Sequence, residues 1–203
     1  MQTNEWISLL VATLCVAYVG IRIANTKERL TTFRQTIRRD QVTFQTGDLL
    51  LFHSNLLLMF LLNSPFSHVG VVVVLNHTPY VFEIVPHNRF PTLTPVNRLN
   101  LDKGVYHRSI ETPLDTDKVV KYIEMEGDRM YDFALWYPLV KQTFDHVVFP
   151  RLPHRTRSCL SCATLVGKLL HRFGVMVHQE HFVPEDFSSL RHEGRWQVEK
   201  KLI

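Results

Sequence analysis

The chain is poor in cysteine, with only three in 203 residues. An odd, low count at this length excludes a disulfide-stapled scaffold and fits a reducing compartment. Cys159 and Cys162 form a lone Cys-x-x-Cys with no second copy elsewhere. The motif is compatible with a redox pair, or with half a zinc site completed by His154 or His171, but the strand that leads into a thioredoxin-type motif is missing. There is no internal repeat and no low-complexity tract, so solenoids and compositionally disordered arrays are excluded. No lysine or arginine precedes Arg22, so the positive leading region of a cleavable signal peptide is absent as well.

What is present at the N-terminus is an apolar run over residues 6–24, with Arg22 as its only charge. About twenty apolar residues suffice to cross a bilayer core as a helix. Arg22 is near enough to the end to snorkel, and Trp6 suits an interfacial anchor. The segment therefore predicts an uncleaved transmembrane helix, with the bilayer as a partner through residues 6–24. The net charge of +4 and pI near 9.1 are mildly basic. Much of the excess clusters in one stretch, in Arg22, Lys27, Arg29, Arg34, Arg38 and Arg39, opposed there by Glu28 and Asp40. Membrane placement accounts for this patch better than nucleic acid does, and no nucleic-acid partner is expected. The positive-inside rule then predicts a single-pass membrane protein with its C-terminal domain in the cytosol.

The expected organisation is an anchor over residues 1–25, a basic juxtamembrane segment over 26–44 and one domain over 45–203. With 45% hydrophobic residues, that last part, roughly 160 residues, can bury a core of its own. Leu30, Phe33 and Ile37 have helical spacing, so the juxtamembrane segment reads as a helix. Gly47-Asp48 introduces a short buried strand at Leu49-Leu50-Leu51-Phe52, and residues 56–62 read as a helical turn or two. The β-branched run from Val69 to Leu75, the turn-rich Asn76-His77-Thr78-Pro79 and the segment from Tyr80 to Val85 predict a hairpin. Residues 86–113 read as loop with a strand at 105–108. Asp115 or Thr116 caps a helix carrying Val119, Val120 and Ile123 inward. The aromatic stretch 131–153 reads as lid, partner surface or core. A helix over 160–173 is capped by Ser158 or Ser161, carries an apolar stripe at Leu165, Val166, Leu169, Leu170 and Phe173, and ends at Gly174.

Three residues in these segments carry chemistry. Cys162 lies in the first turn of the last helix, where unpaired N–H groups and the helix dipole favour a thiolate. From position alone it is more often an ordinary small buried residue. His68 stands at the mouth of a strand, one of 11 histidines, and a capped or surface role is the commoner one. Glu83 sits between Phe82 and Ile84, either on the exposed face of the strand or buried with a partner. Together, a thiol, an imidazole and a carboxylate are the parts of a nucleophile–base–orienter relay.

The ordered set of motifs resembles the permuted papain-like amidase branch of the NlpC/P60 superfamily (YiiX/YaeF-type, with poxvirus relatives). The resemblance covers most of residues 45–190. It rests on Gly47-Asp48-Leu49-Leu50-Leu51-Phe52, on Ser64-Pro65-Phe66-Ser67-His68-Val69-Gly70-Val71-Val72 and on Pro79-Tyr80-Val81-Phe82-Glu83. Tyr131-Asp132, Cys162-Ala163-Thr164-Leu165-Val166 and Pro184-Glu185-Asp186-Phe187 complete it. Ala163 departs from the Ser or Thr usual after the nucleophile, and the residues between Tyr131-Asp132 and Cys162 are a longer insertion than the family pattern.

The resemblance implies a circularly permuted α+β domain, its antiparallel sheet packed against helices. It also implies catalytic roles: Cys162 as nucleophile, His68 as base and Glu83 as orienting group, with no cofactor and no metal. The expectation is a membrane-anchored thiol hydrolase acting through a thioester on an amide or ester of an acylated peptide or lipid. The competing expectations are a membrane-bound binding or structural protein on the same fold, and the Cys-x-x-Cys redox or zinc protein.

Overall fold

The computed structural model describes residues 36–55, 58–59, 64–85, 88, 90–101, 104–127, 130–131, 159–176, 182, 184–188 and 200–203, with isolated helical positions between 13 and 24; at 130–131 and 159–160 it describes the backbone alone. The expectation of a transmembrane helix before the domain is corrected here. Among the described residues no helix is long and apolar enough to cross a membrane. Hydropathy counts apolar residues in a window, whereas a span needs an unbroken helix through all of them. The single-pass localisation, with a cytosolic C-terminal domain, was inferred from that helix and is withdrawn with it.

The architecture is α+β. Nine strands are described: β1 (Thr36–Ile37), β2 (Leu49–Phe52), β3 (His68–Leu75), β4 (Thr78–Glu83), β5 (Thr92–Pro95), β6 (Val105–Arg108), β7 (Met130–Tyr131), β8 (Cys159–Leu160) and β9 (Lys200–Leu202). Two α-helices join them, α1 (Thr116–Glu126) and α2 (Cys162–Arg172). Seven strands form one sheet in the order β1-β9-β6-β2-β3-β4-β5, and β7 and β8 form a small parallel pair. The large sheet is antiparallel except where β1 runs parallel to β9. The juxtamembrane helix expected to include Ile37 is instead a strand at Thr36–Ile37 followed by a single 3-10 turn at Arg39–Gln41, and residues 26–35 lie outside the described residues.

β3 sits near the middle of the sheet, between β2 and β4, so both its faces are buried and its sequence is a continuous β-branched run rather than an alternation. Period-two geometry sorts that run onto two cores. Val69, Val71 and Val73 join Leu49, Leu51, Phe82 and the α2 residues Leu165, Val166, Leu169 and Leu170 on one face. Val72 joins Leu50, Val81, Val96, Val105 and Leu202 on the other. Each fully buried aliphatic side chain contributes roughly 1.5–3 kcal/mol. At the hairpin between β3 and β4, Asn76 and His77 both have positive φ, 48° and 64°, the left-handed pair whose twist matches the strands.

The ends of α2 follow its sequence. Ser161 is the N-cap, accepting from the Thr164 amide at 3.1 Å, and Gly174 follows the helix with φ 67°. On α1 the N-cap is Asp115, which accepts from the Lys118 amide. Its inward face carries Val119 and Tyr122 fully, with Val120 and Ile123 half-buried. β5 lies in a stretch that reads as loop in the sequence; it is recruited by pairing with β4 rather than by its own pattern. Residues 132–158, including the aromatic insertion and His154, lie outside the described residues.

Candidate active site

Asp48 secures the start of β2 and is fully buried. Its Oδ2 accepts from the Gln45 amide at 2.9 Å and from His107 Nε2 at 2.8 Å. Its Oδ1 accepts from the Ile110 amide at 2.8 Å and from the Ser109 hydroxyl at 3.3 Å. A buried carboxylate with four donors is a satisfied one. It ties β2 to β6 and so fixes the strand that β3 pairs with.

Register then sets the site. Phe52 is opposite His68, and Val71 is opposite Phe82, so counting on by one places Gly70 opposite Glu83. His68, Gly70 and Glu83 thus share a face at the end of the hairpin. Gly70 carries no side chain, and a Cβ there would lie 3.4 Å from the Glu83 Cβ and 2.4 Å from Val81 Cγ1. The missing side chain leaves the space across which the imidazole reaches the carboxylate on the next strand. His68 Nε2 donates to Glu83 Oε2 at 2.7 Å, with both side chains largely buried (14% and 10% exposed). The Phe52 ring packs against the imidazole, centroids 5.0 Å apart, and limits its rotation.

α2 brings the thiol from the other face of the sheet. Its first residue, Cys162, is 9% exposed and reaches the start of β3. There the sulfur is hydrogen-bonded to the His68 side chain and to the amides of Val69 and Ala163. With Nε2 committed to Glu83, Nδ1 is the nitrogen left for the thiol. Burial disfavours both charged forms, yet each group is held charged by its neighbours. For Cys162 burial acts upwards, but the imidazolium's charge and hydrogen bond and the two amides outweigh it and hold the thiol below its ordinary range. For His68 burial acts downwards, and the charge and hydrogen bond of Cys162, then those of Glu83, push it up to about 10. Both shifts run in the direction of a thiolate beside an imidazolium, with the Glu83 carboxylate on the far side of the ring.

The neighbouring loop is pinned at Ser67. Its hydroxyl donates to the Phe52 carbonyl at 3.1 Å and accepts from the amides of Ser54 and Asn55, each at 3.2 Å. This draws residues 54–55 over the relay. A cavity of about 460 Å³ opens there, with His68, Glu83 and Cys162 in its wall, a size usual for a small-molecule site.

The structure therefore brings together Cys162, His68 and Glu83. Arg98 and Asn100, which also line the cavity, are missed by sequence reasoning. They sit on a loop with no motif, and only the pairing of β5 with β4 carries them to the site. Of the Cys-x-x-Cys, the Cys159 side chain lies outside the described residues. His171, one candidate zinc ligand, has Nδ1 3.2 Å from the Met176 carbonyl. Among the described residues no group of three or more His, Cys, Asp or Glu side chains is arranged to hold a metal ion.

Fold and site define a buried cluster of one cysteine, one histidine and one glutamate at a seven-stranded sheet of an α+β domain. No protein-family model matches the chain, and no curated protein matches it. Among solved structures the chain is similar to the metalloprotein YiiX from Escherichia coli O157:H7, at 22% identity and a TM-score of 0.45. The match covers 63% of this chain and 65% of that one, less than two thirds of that protein's length.

Proposed function

We propose that the protein is a thiol hydrolase that cleaves an amide or ester acyl bond through the Cys162–His68–Glu83 relay. The observation that carries this reading is the arrangement in the wall of a cavity: a buried thiol at a helix N-terminus bonded to an imidazole, with a buried carboxylate bonded to the ring's other nitrogen. In the first step the Cys162 sulfur adds to the carbonyl carbon. His68 gives its proton to the departing amine or alcohol as the tetrahedral adduct collapses to a thioester. In the second step water adds to the thioester carbonyl and His68 takes the water's proton. The acid leaves, and the thiolate–imidazolium pair is restored. Glu83 keeps the Nε2 proton in place throughout and stabilises the imidazolium.

Glu83 is buried and paired rather than in solvent, which supports a relay over a purely binding use of the fold. The chain order His, Glu, Cys, with the thiol-bearing helix laid across the sheet, supports the finer reading of a permuted papain-like domain of the NlpC/P60 type. Acylated peptides and lipids are the substrates in view. The test is labelling by an acyl activity-based probe together with turnover of a chromogenic ester. Cys162→Ser is expected to lose both, by about 100-fold or more, with Cys159→Ser as the control that keeps them. Labelling and turnover retained in Cys162→Ser would overturn the proposal.

A further inference from the structure

The relay leaves the cavity electrostatically unbalanced. Cys162 and His68 share one proton and are neutral as a pair whichever of them holds it, so the Glu83 carboxylate leaves the site at −1, a net charge that repels anions. One more charged side chain lines the same cavity, Arg98. It closes the short helical turn Val96–Arg98 after β5 and is exposed. Among the described residues its guanidinium has no hydrogen bond or ion pair. The remaining wall is largely apolar, with Phe52, Leu58, Ile84 and Leu99 among its residues. A guanidinium without a partner, set in an apolar wall, presents a planar donor fork to whatever enters.

We infer that Arg98 determines specificity, and that the substrate is an acyl compound whose apolar part lies along Phe52, Leu58, Ile84 and Leu99 while an anionic group, carboxylate or phosphate, pairs with Arg98. The position of the scissile carbonyl beside Cys162 rests on the hydrolase reading; the anion subsite does not. Arg98 brings the cavity's formal charge from −1 to zero, so an anionic compound is admitted only through it. A neutral compound of the same chain length lacks the charge-assisted hydrogen bonds, worth on the order of tenfold in affinity.

The experiment is calorimetric binding of octanoate, octyl phosphate and octanol, below micellar concentrations, to the full-length wild-type protein, to Arg98→Gln and to Arg98→Glu. None of the three ligands has a scissile bond, so binding is read without turnover. The expected result is that at least one anion binds the wild type about tenfold tighter than octanol. That advantage disappears in Arg98→Gln, and Arg98→Glu, titrated with octylammonium as well, prefers that cation to both anions, a reversal that a merely structural role would not produce. Tighter binding of octyl phosphate points to a phosphorylated headgroup, and tighter binding of octanoate to a free carboxylate. Octanol binding as tightly as both anions, no binding by any of the three, or an anion affinity unchanged in Arg98→Gln would overturn the inference. Turnover of neutral p-nitrophenyl octanoate by the wild type separates the two readings. Cys162-dependent turnover without an anion preference removes the subsite alone, and an Arg98-dependent anion preference without turnover removes the hydrolase alone.

Discussion

Glu83→Gln isolates the charge behind the imidazole. Glutamine has the same shape, and its carbonyl oxygen still accepts from His68 Nε2, so the ring stays oriented while the carboxylate's charge is lost. The 2.7 Å bond between largely buried groups is kept but loses its charge assistance, a difference of about 1–2 kcal/mol. At 1.36 kcal/mol per pKa unit, His68 is expected to fall by ~1 unit from about 10. It does not return to the ordinary histidine value, because Cys162 supplies the larger upward push. His68 must be protonated to expel the leaving group, so the alkaline limb of ester turnover moves down by ~1 unit. The acid limb reports ionisation of Cys162 and stays in place. The assay is turnover against pH for wild type and variant, with the imidazole followed in parallel by NMR. An alkaline limb that does not move, or an acid limb that moves in its stead, would refute the relay as drawn. Glu83→Ala also removes the orienting acceptor, and turnover at neutral pH is expected to fall by about 100-fold.

The ion pair also shapes stability against pH. His68 is raised above 6.5, so its contribution is complete below that value and is lost as pH rises through about 10. Cys162 is held below 9.0, so its contribution is present above 9.0 and is lost as pH falls through its folded value. While pH climbs toward 9.0 the two slopes oppose each other, and above it only the loss from His68 remains. The wild-type melting temperature should therefore be nearly level on the neutral side and fall between pH 9 and 10.5; a Cys162→Ala protein showing the same profile would contradict this. Asp48→Asn puts an amide donor among four donors and discharges the partner of buried His107, a loss of about 3–5 kcal/mol in urea unfolding. A change under 1 kcal/mol would mean that the network is not an anchor. Gly70→Ala places a Cβ against Val81 and in the gap between His68 and Glu83. It should cost about 1–3 kcal/mol and shift the alkaline limb of turnover downward as Glu83→Gln does; an unmoved pH profile would show that the gap is not needed.

Local features were legible in the sequence because they rest on neighbours in the chain. The β-branched run at 69–75, the turn at Asn76 and His77, the Ser161 cap and the Gly174 stop all depend on steric or hydrogen-bond preferences within a few residues. β2 and β6 were recognisable for the same reason. Features that depend on partners were not. β5 has no pattern of its own and exists because β4 offers it an edge, and Tyr122 turns inward because of what α1 packs on. The apolar count over residues 6–24 suggested a membrane span that a requirement for continuous helix does not bear out among the described residues.

By itself, then, the sequence determined which residue types were at hand: a thiol at a helix start, a histidine at a strand mouth and a carboxylate one strand on. Each had a commoner and blander reading, since propensity says nothing about distance. Only the tertiary structure decided that these three meet. The antiparallel register sets Gly70 opposite Glu83, which lets His68 reach the carboxylate, and the packing of α2 across the sheet delivers Cys162 to the end of β3. The same pairing carried Arg98 into the cavity from a loop with no signature. Groups separated from His68 by 15 residues in one case and 94 in the other become a coupled site because burial lowers the local dielectric and strengthens their interaction.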